Sequence, residues 1–159
     1  MTDAVAQLLP LFPAVPLIAA AFALLAPWRA VRDSIMLIIP GMGIFAGLGL
    51  LMYTMNNGVV AHTVGLYQGN VGIPFAADAF SALMIITTMI VAFGANWFAI
   101  AGGETKSRFY PSLTLILITG VCGALLTADL FNFFVFIEVM LLPSYGLITM
   151  SGTWSRLAA

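Results

Sequence analysis

Residues 129–150 read DLFNFFVFIEVMLLPSYGLITM, a run in which Asp129 and Glu138 are the charged residues. An α-helix rises about 1.5 Å per residue, so about 20 apolar residues cross the hydrocarbon layer of a membrane. The run after Asp129 has that length and composition. It is therefore predicted to be a transmembrane helix that carries a carboxyl group, that of Glu138, near its centre.

Four other windows of the chain also have the length and apolarity of a membrane crossing. A helix is suited to that task because it pairs its own backbone polar groups where no water is present. The predicted spans cover approximately residues 5–27, 34–55, 77–101, 109–127 and 130–150. The predicted fold class is all-α transmembrane, with five helices forming a single membrane region over residues 1–159.

The composition excludes most other classes of protein. Hydrophobic residues make up 62% of the chain and charged residues 7%, against about 25% charged residues in soluble domains. The net charge of -1 offers no basic surface, so no nucleic-acid partner is expected. Cys122 is the single cysteine and has no metal-ligand spacing around it, so a packing role is expected. The amino terminus has no Lys or Arg before its apolar run and is expected to be a mature helix, not a cleaved signal.

The basic residues predict how the helices are oriented. All five lie in alternate predicted loops, and they are Arg29, Arg32, Lys106, Arg108 and Arg156. Because Lys and Arg are enriched in cytoplasmic loops, the N-terminus is predicted to be outside and the C-terminus inside. Aromatic residues near the predicted span ends agree with these boundaries, since their rings favour the headgroup level. They are Trp28, Tyr53, Trp97, Tyr110 and Trp154.

Glu138 is the main candidate for a proton or cation site. A charge at the centre of a membrane costs at least about 2.5–3.5 kcal/mol, so such residues are rare and usually mark an ion path. The alternative is a permanently neutral Glu138 that is hydrogen-bonded to a neighbouring helix. Pro143, one turn later, cannot donate to the carbonyl of Val139 and favours a kink beside the site. A kink that serves packing alone is the alternative for Pro143.

Asp129 and Asp78 are secondary candidates at the predicted starts of spans five and three. Asp is a good helix N-cap and its charge complements the helix dipole. Capping is the main expectation for both, and collection of cations at the outer surface is the alternative. Small residues at Gly41, Gly43, Gly47, Gly49, Gly120 and Ala124 predict close helix packing. No predicted span has a Lys or Arg near its middle, so a counter-charge for Glu138 is expected from outside this chain.

Two motifs resemble one family of membrane proteins. The first is ADLFNFFVFIEVMLLPSY, residues 128–145, and the second is GIPF, residues 72–75, followed by ADAFSALM, residues 77–84. Both are similar to segments of the antiporter-like subunits shared by Mrp sodium/proton antiporters and respiratory complex I. Within that group the chain is most similar to the D-type subunits of Mrp complexes. The resemblance covers the whole chain as the region of the first five helices.

The resemblance implies a monovalent cation (sodium)/proton antiporter subunit in the plasma membrane, working with other subunits of a hetero-oligomeric complex. It also implies that Glu138 pairs with a lysine on a later helix and takes part in proton transfer. Family members continue into a second, inverted set of helices that this sequence lacks. Either the sequence is one part of a longer protein or the product is truncated, and a chain with only this portion is not expected to transport alone.

Two alternatives come from other functional classes. Related subunits form the proton-pumping membrane arm of NADH:quinone or hydrogenase-linked oxidoreductases, in which partner subunits perform the redox chemistry. A scaffold that does not transport, with a neutral Glu138, is the other alternative. The sequence has no iron–sulfur ligand set, nucleotide-binding glycine loop or haem ligand pair. No cofactor and no metal are therefore expected, and the chain is predicted to be a secondary transporter subunit and not an enzyme.

Overall fold

The computed structural model describes residues 2–65 and 72–150, and within them the prediction of five long apolar helices is confirmed. The first crossing is made of two pieces, and the later crossings are continuous helices. The helices are α1 (Thr2–Leu8), α2 (Leu11–Leu25), α3 (Arg29–Asn57), α4 (Ala79–Gly102), α5 (Phe109–Leu126) and α6 (Leu130–Thr149). The predicted boundary residues Trp154 and Arg156 lie outside the described residues.

Two helix boundaries differ from the predicted spans for local reasons. The first crossing is interrupted between Leu8 and Leu11, where Pro10 is the N-cap of α2 and has no N–H to continue the hydrogen-bond ladder of α1. The second begins at Arg29 and not at residue 34, because Trp28 is extended and the helix starts directly after it. The long Arg29 side chain remains partly exposed at this boundary, so the helix can extend past the apolar window.

A β-hairpin follows α3, in the stretch between the second and third predicted spans. Its strands β1 (Val60–Val64) and β2 (Ile73–Ala77) are antiparallel, with Val60 opposite Ala77. Phe75 of β2 also forms a bridge with Thr127, and the Ala128 N–H donates to the Pro74 carbonyl at 3.0 Å. The hairpin therefore joins the connection between α5 and α6, and we call this side of the bundle the hairpin end.

The opposite side of the bundle, the basic end, joins the other two connections. The Arg29 guanidinium donates to the Thr105 hydroxyl at 2.9 Å, and its Nε lies 3.4 Å from an Asp33 carboxylate oxygen. Thr105 belongs to a short 3₁₀ turn, Glu104–Lys106, between α4 and α5. The described basic residues all lie on this side, in agreement with their alternate positions along the sequence; they are Arg29, Arg32, Lys106 and Arg108.

Helix α5 forms the centre of the bundle and contacts both α2 and α6. Its buried side chains include Leu115, Ile118 and Leu126, together with Cys122, which is 0% exposed as its packing role requires. Ser112 of α5 donates to the Ala20 carbonyl of α2 at 2.8 Å. The core of the described residues therefore runs along α5, and α3 and α4 pack against each other beside it.

Glycines set the distance between neighbouring helices at two places. A Cβ at Gly43 would lie 2.6 Å from the Met89 sulfur, and one at Gly47 would lie 2.8 Å from an Ile86 side-chain carbon. A Cβ at Gly120 would lie 2.8 Å from the Met140 backbone nitrogen. The second glycine facing α6 is Gly123, which meets the Phe136 ring, and not Ala124 of the predicted pair.

We expect Gly120→Ala to destabilise the protein by about 1–3 kcal/mol, because the Met140 backbone that its methyl group meets has no rotamer with which to move away. Gly94→Ala is the matched control, since nothing lies within 4 Å of a Cβ there. It is expected to be neutral or slightly stabilising, as alanine favours helix. Thermal unfolding of the detergent-solubilised full-length protein measures both. Equal melting temperatures for the two variants would contradict the close α5–α6 approach.

Candidate functional site

Glu138 projects from the side of α6 that faces away from the rest of the described chain. Phe136, Met140 and Pro143 mark the inner side, because Phe136 and Met140 meet the α5 glycines and Pro143 is buried. A helix turns about 100° per residue, so Glu138 lies about 200° around the axis from Phe136. The carboxyl group therefore points almost directly opposite the α5 contact.

The surroundings of Glu138 form an apolar, exposed surface that we call the outer face of α6. It consists of Phe131, Phe134, Val135, Glu138, Leu142 and Tyr145, all exposed. Among the described residues, the Glu138 side chain makes no hydrogen bond and no ion pair. Only 6% of the apolar window of α6 is buried, against 56% for α5. The outer face is thus left open by the part of the chain that is described.

Pro143 lies on the opposite side of α6 and is its one buried residue in the described structure. The helix continues through it to Thr149. Because the ring nitrogen of proline has no hydrogen, the carbonyl of Val139 lacks its usual donor one turn earlier. Val139 follows Glu138 directly, so the carbonyl without a helical donor belongs to the residue next to the carboxyl group. Pro143 itself packs toward α5 and does not line the outer face.

Asp129 and Asp78 both act as helix caps. Asp129 Oδ2 accepts hydrogen bonds from the backbone and side-chain nitrogens of Asn132, each at 3.0 Å. Asp78 Oδ1 accepts from the Ser81 N–H at 2.7 Å, and this bond holds the pKa of the Asp78 carboxyl below its ordinary value of 3.8. Asp129 lies nine residues before Glu138, which is about 13 Å along the helix. The Asp129 carboxylate is therefore well separated from that of Glu138 along α6.

One polar contact between helices was not predicted from the sequence. The Asn96 side-chain nitrogen, on α4, donates to the Met36 carbonyl of α3 at 2.9 Å. Met36 precedes Pro40 by four residues, so its carbonyl is the one that Pro40 leaves without a helical donor. A proline in one span and a lone Asn in a neighbouring one were the available signals. Neither fixes which carbonyl meets which amide until the two helices are packed.

The arrangement supports simple proton or cation chemistry at one carboxyl group. Among the described residues no group of three or more His, Cys, Asp or Glu side chains could hold a metal ion. A lone carboxyl group can bind or release one proton, and the balance shifts with the charges brought close to it. Five apolar helices, each long enough to cross a bilayer, define a multi-pass membrane protein.

Comparison with known proteins shows what the chain is related to, and it confirms the resemblance to the D-type antiporter subunits. No family model matches. The chain is homologous to the N-terminal part of the D-type Na⁺/H⁺ antiporter subunit of Alkalihalophilus pseudofirmus, with 38% identity over 149 residues, 87% of this chain and 29% of the relative. It is 39% identical to the D-type Na⁺/H⁺ antiporter subunit of Bacillus subtilis over 108 residues, 66% of this chain and 22% of the relative.

Solved structures agree in fold. A chain of the Mrp complex from Dietzia sp. DQ12-45-1b has a TM-score of 0.87 and 43% identity, covering 92% of this chain and 28% of its own length. A chain of an archaeal membrane-bound sulfane sulfur reductase has a TM-score of 0.81 at 22% identity, covering 97% of this chain and 32% of its own length, which shows a shared fold alone. The chain thus spans less than a third of the relative in each of these four matches.

We expect Asp78→Ala to destabilise the protein by about 1 kcal/mol through loss of the α4 cap, and Asp78→Asn to cost less because Asn also caps helices. Since the folded-state pKa of Asp78 lies below 3.8, its carboxylate stabilises the fold above that pH. This contribution is lost as the pH falls through the folded-state pKa. Melting temperatures of the unaltered protein and Asp78→Asn, measured as the pH is lowered below 3.8, should therefore converge. A constant difference would contradict the charged cap.

Proposed function

We propose that this chain is the N-terminal five-helix portion of a monovalent cation (sodium)/proton antiporter subunit, and that Glu138 takes part in moving protons through the middle of the membrane. The orientation of Glu138 carries the proposal. Its carboxyl group lies on a face that the other described helices leave open, on a helix long enough to cross the bilayer. The homology to the D-type subunits of Na⁺/H⁺ antiporters supports the same reaction class.

The depth of Glu138 makes its charge state sensitive to its surroundings. Glu138 lies eight residues after Leu130, the first residue of α6, which is about 12 Å along a helix about 30 Å long. A lone carboxylate there costs at least about 2.5–3.5 kcal/mol against lipid. A cation brought next to it offsets that cost and favours the carboxylate, whereas withdrawal of the cation favours the neutral acid. Each approach and withdrawal would release and take up one proton.

The partner of Glu138 is proposed to be a positively charged side chain outside the described residues. The outer face of α6 is apolar apart from Glu138 and the Tyr145 hydroxyl, so it suits a packed helix that carries one basic group. The resemblance implies a lysine on a later helix of the full-length subunit. Other subunits of a hetero-oligomeric complex in the plasma membrane are proposed as the remaining partners, because the relatives are subunits of multisubunit membrane complexes.

The alternative function, the proton-pumping membrane arm of a complex I-like oxidoreductase, would use the same carboxyl group. The likeness to the sulfane sulfur reductase is of fold alone, at 22% identity. The relatives at 38% and 39% identity are antiporter subunits. The antiporter is therefore preferred, and partner subunits identified after purification would separate the two: redox subunits would favour the alternative.

We expect Glu138→Gln in the complete complex to abolish cation-dependent collapse of a pH gradient in inside-out vesicles. Glutamine preserves size and hydrogen bonding but cannot ionise. The same substitution at Glu104, which is exposed at the basic end, is the matched control and should leave exchange unchanged. Immunoblotting confirms equal assembly. Normal exchange by the Glu138→Gln complex would refute a proton-transfer role and demote Glu138 to packing.

The orientation is a second testable proposal, with the hairpin end outside and the basic end inside. In a Cys122→Ser background of the full-length protein, Ala61→Cys in β1 and Lys106→Cys at the basic end both replace exposed residues. A membrane-impermeant maleimide added to intact cells should label the cysteine at position 61 and not the one at 106. In inside-out vesicles the pattern should reverse. Labelling of position 106 in intact cells would invert the proposed topology.

A further inference from the structure

Three buried polar side-chain atoms have no hydrogen-bond partner among the residues that the structure describes. They are Arg32 Nε, Asp33 Oδ1 and Asn96 Oδ1. Arg32 and Asp33 lie near the start of α3, and Asn96 lies in the last third of α4, so all three are on the side of the basic end. Buried polar atoms in proteins are almost always paired, with protein or with ordered water. Their concentration at one end of one helix pair therefore points to a common cause.

Asn96 is the deepest of the three. It is 1% exposed, and its side-chain nitrogen donates a hydrogen bond to the Met36 carbonyl at 2.9 Å. That carbonyl is free because Pro40 supplies no N–H, so the contact fixes which end of the amide faces α3. The amide oxygen is left as an acceptor inside the α3–α4 interface. It needs a donor that the described side chains do not provide.

Arg32 lies one turn from Met36 on the same buried side of α3, toward the basic end, and is 7% exposed. Consecutive crossings run in opposite directions, so the residue of α4 at the level of Arg32 is close to Ala99. Ala99 lies one turn beyond Asn96 and is 5% exposed. Arg32 Nε is thus a second buried and unpaired polar atom of α3 and α4, on the side of the basic end.

The mixture of groups selects the ligand. A cation is disfavoured by the Arg32 guanidinium, and an anion is disfavoured by the Asp33 carboxylate and the Asn96 oxygen. Water accepts from an N–H and donates to two oxygens, which is the set of partners present here. We propose that the basic end of the α3–α4 interface holds internal water, which accepts from Arg32 Nε and donates to Asn96 Oδ1 and Asp33 Oδ1.

This water site extends the aqueous phase into the bundle. Asn96 is six residues from the end of α4, which is about 9 Å along the helix. The site lies between α3 and α4 and is separate from the outer face of α6 that carries Glu138. It hydrates the interface as far as the Met36 carbonyl, beside the proline of α3. The inference depends on these contacts and not on the proposed antiport function.

Radiolytic hydroxyl-radical labelling of the purified full-length protein in its complex, in lipid nanodiscs, tests the site. Bound water activated by the beam oxidises the side chains next to it, and methionine sulfur reacts readily. Met36 and Met89 are both almost fully buried in the α3–α4 pair, at 0% and 2% exposed. Met36 is next to the proposed water, whereas Met89 meets the apolar side of α3 at Gly43. Met36 should be oxidised several-fold faster, and equal rates would overturn the proposal.

A matched pair of variants checks that Asn96 holds the water. Asn96→Leu removes the buried acceptor and should lower Met36 oxidation to the rate of Met89. Asn56→Leu makes the same change at an exposed position near the end of α3 and should leave the Met36 rate unchanged. Persistent fast oxidation of Met36 in Asn96→Leu would refute the site. The comparison of Met36 with Met89 needs no variant, so it decides the question even where Asn96→Leu fails to assemble.

Discussion

A backbone carbonyl inside hydrocarbon has to find a donor, and this requirement organises the whole chain. Helices satisfy it for almost every residue of the five crossings. Pro40 breaks the rule at Met36, and Asn96 restores it from the neighbouring helix. The repair fixes the register of α3 against α4, because an amide side chain can reach only one carbonyl at a time. The glycines Gly43 and Gly47 then let the two helices approach closely along the same interface.

The same requirement separates two polar regions of the bundle. Polar groups within the α3–α4 pair are turned inward, where side chains and water can satisfy them. Glu138, in contrast, is turned outward on α6, a helix that α5 holds from one side only. A carboxyl group in that position is incomplete within the described residues. Glu138 is thus available to a helix that packs on the open face of α6, and the contact of α6 with α5 holds it at a fixed depth.

Much of this architecture could be predicted from the sequence, because span length and apolarity are local properties. Five helices and the position of Glu138 near the centre of the last one follow from residue counting alone, and the caps at Asp78 and Asp129 follow from residue type. The hairpin could not be predicted from the sequence, since its strands are short and are separated by glycine-containing sequence. The Asn96–Met36 contact and the role of Gly123 depend on which helices become neighbours. That information is tertiary and has no signature in a single span.

The attachment of the hairpin to the α5–α6 connection has a consequence for biosynthesis. Strand β2 is made before α4 and α5, yet Phe75 and Pro74 receive their outer partners from Thr127 and Ala128. The hairpin must therefore wait, with a free edge, until the fourth crossing has been inserted and the chain has returned to the same side of the membrane. The edge can therefore close only after the first four crossings, immediately before the helix that bears Glu138 is made.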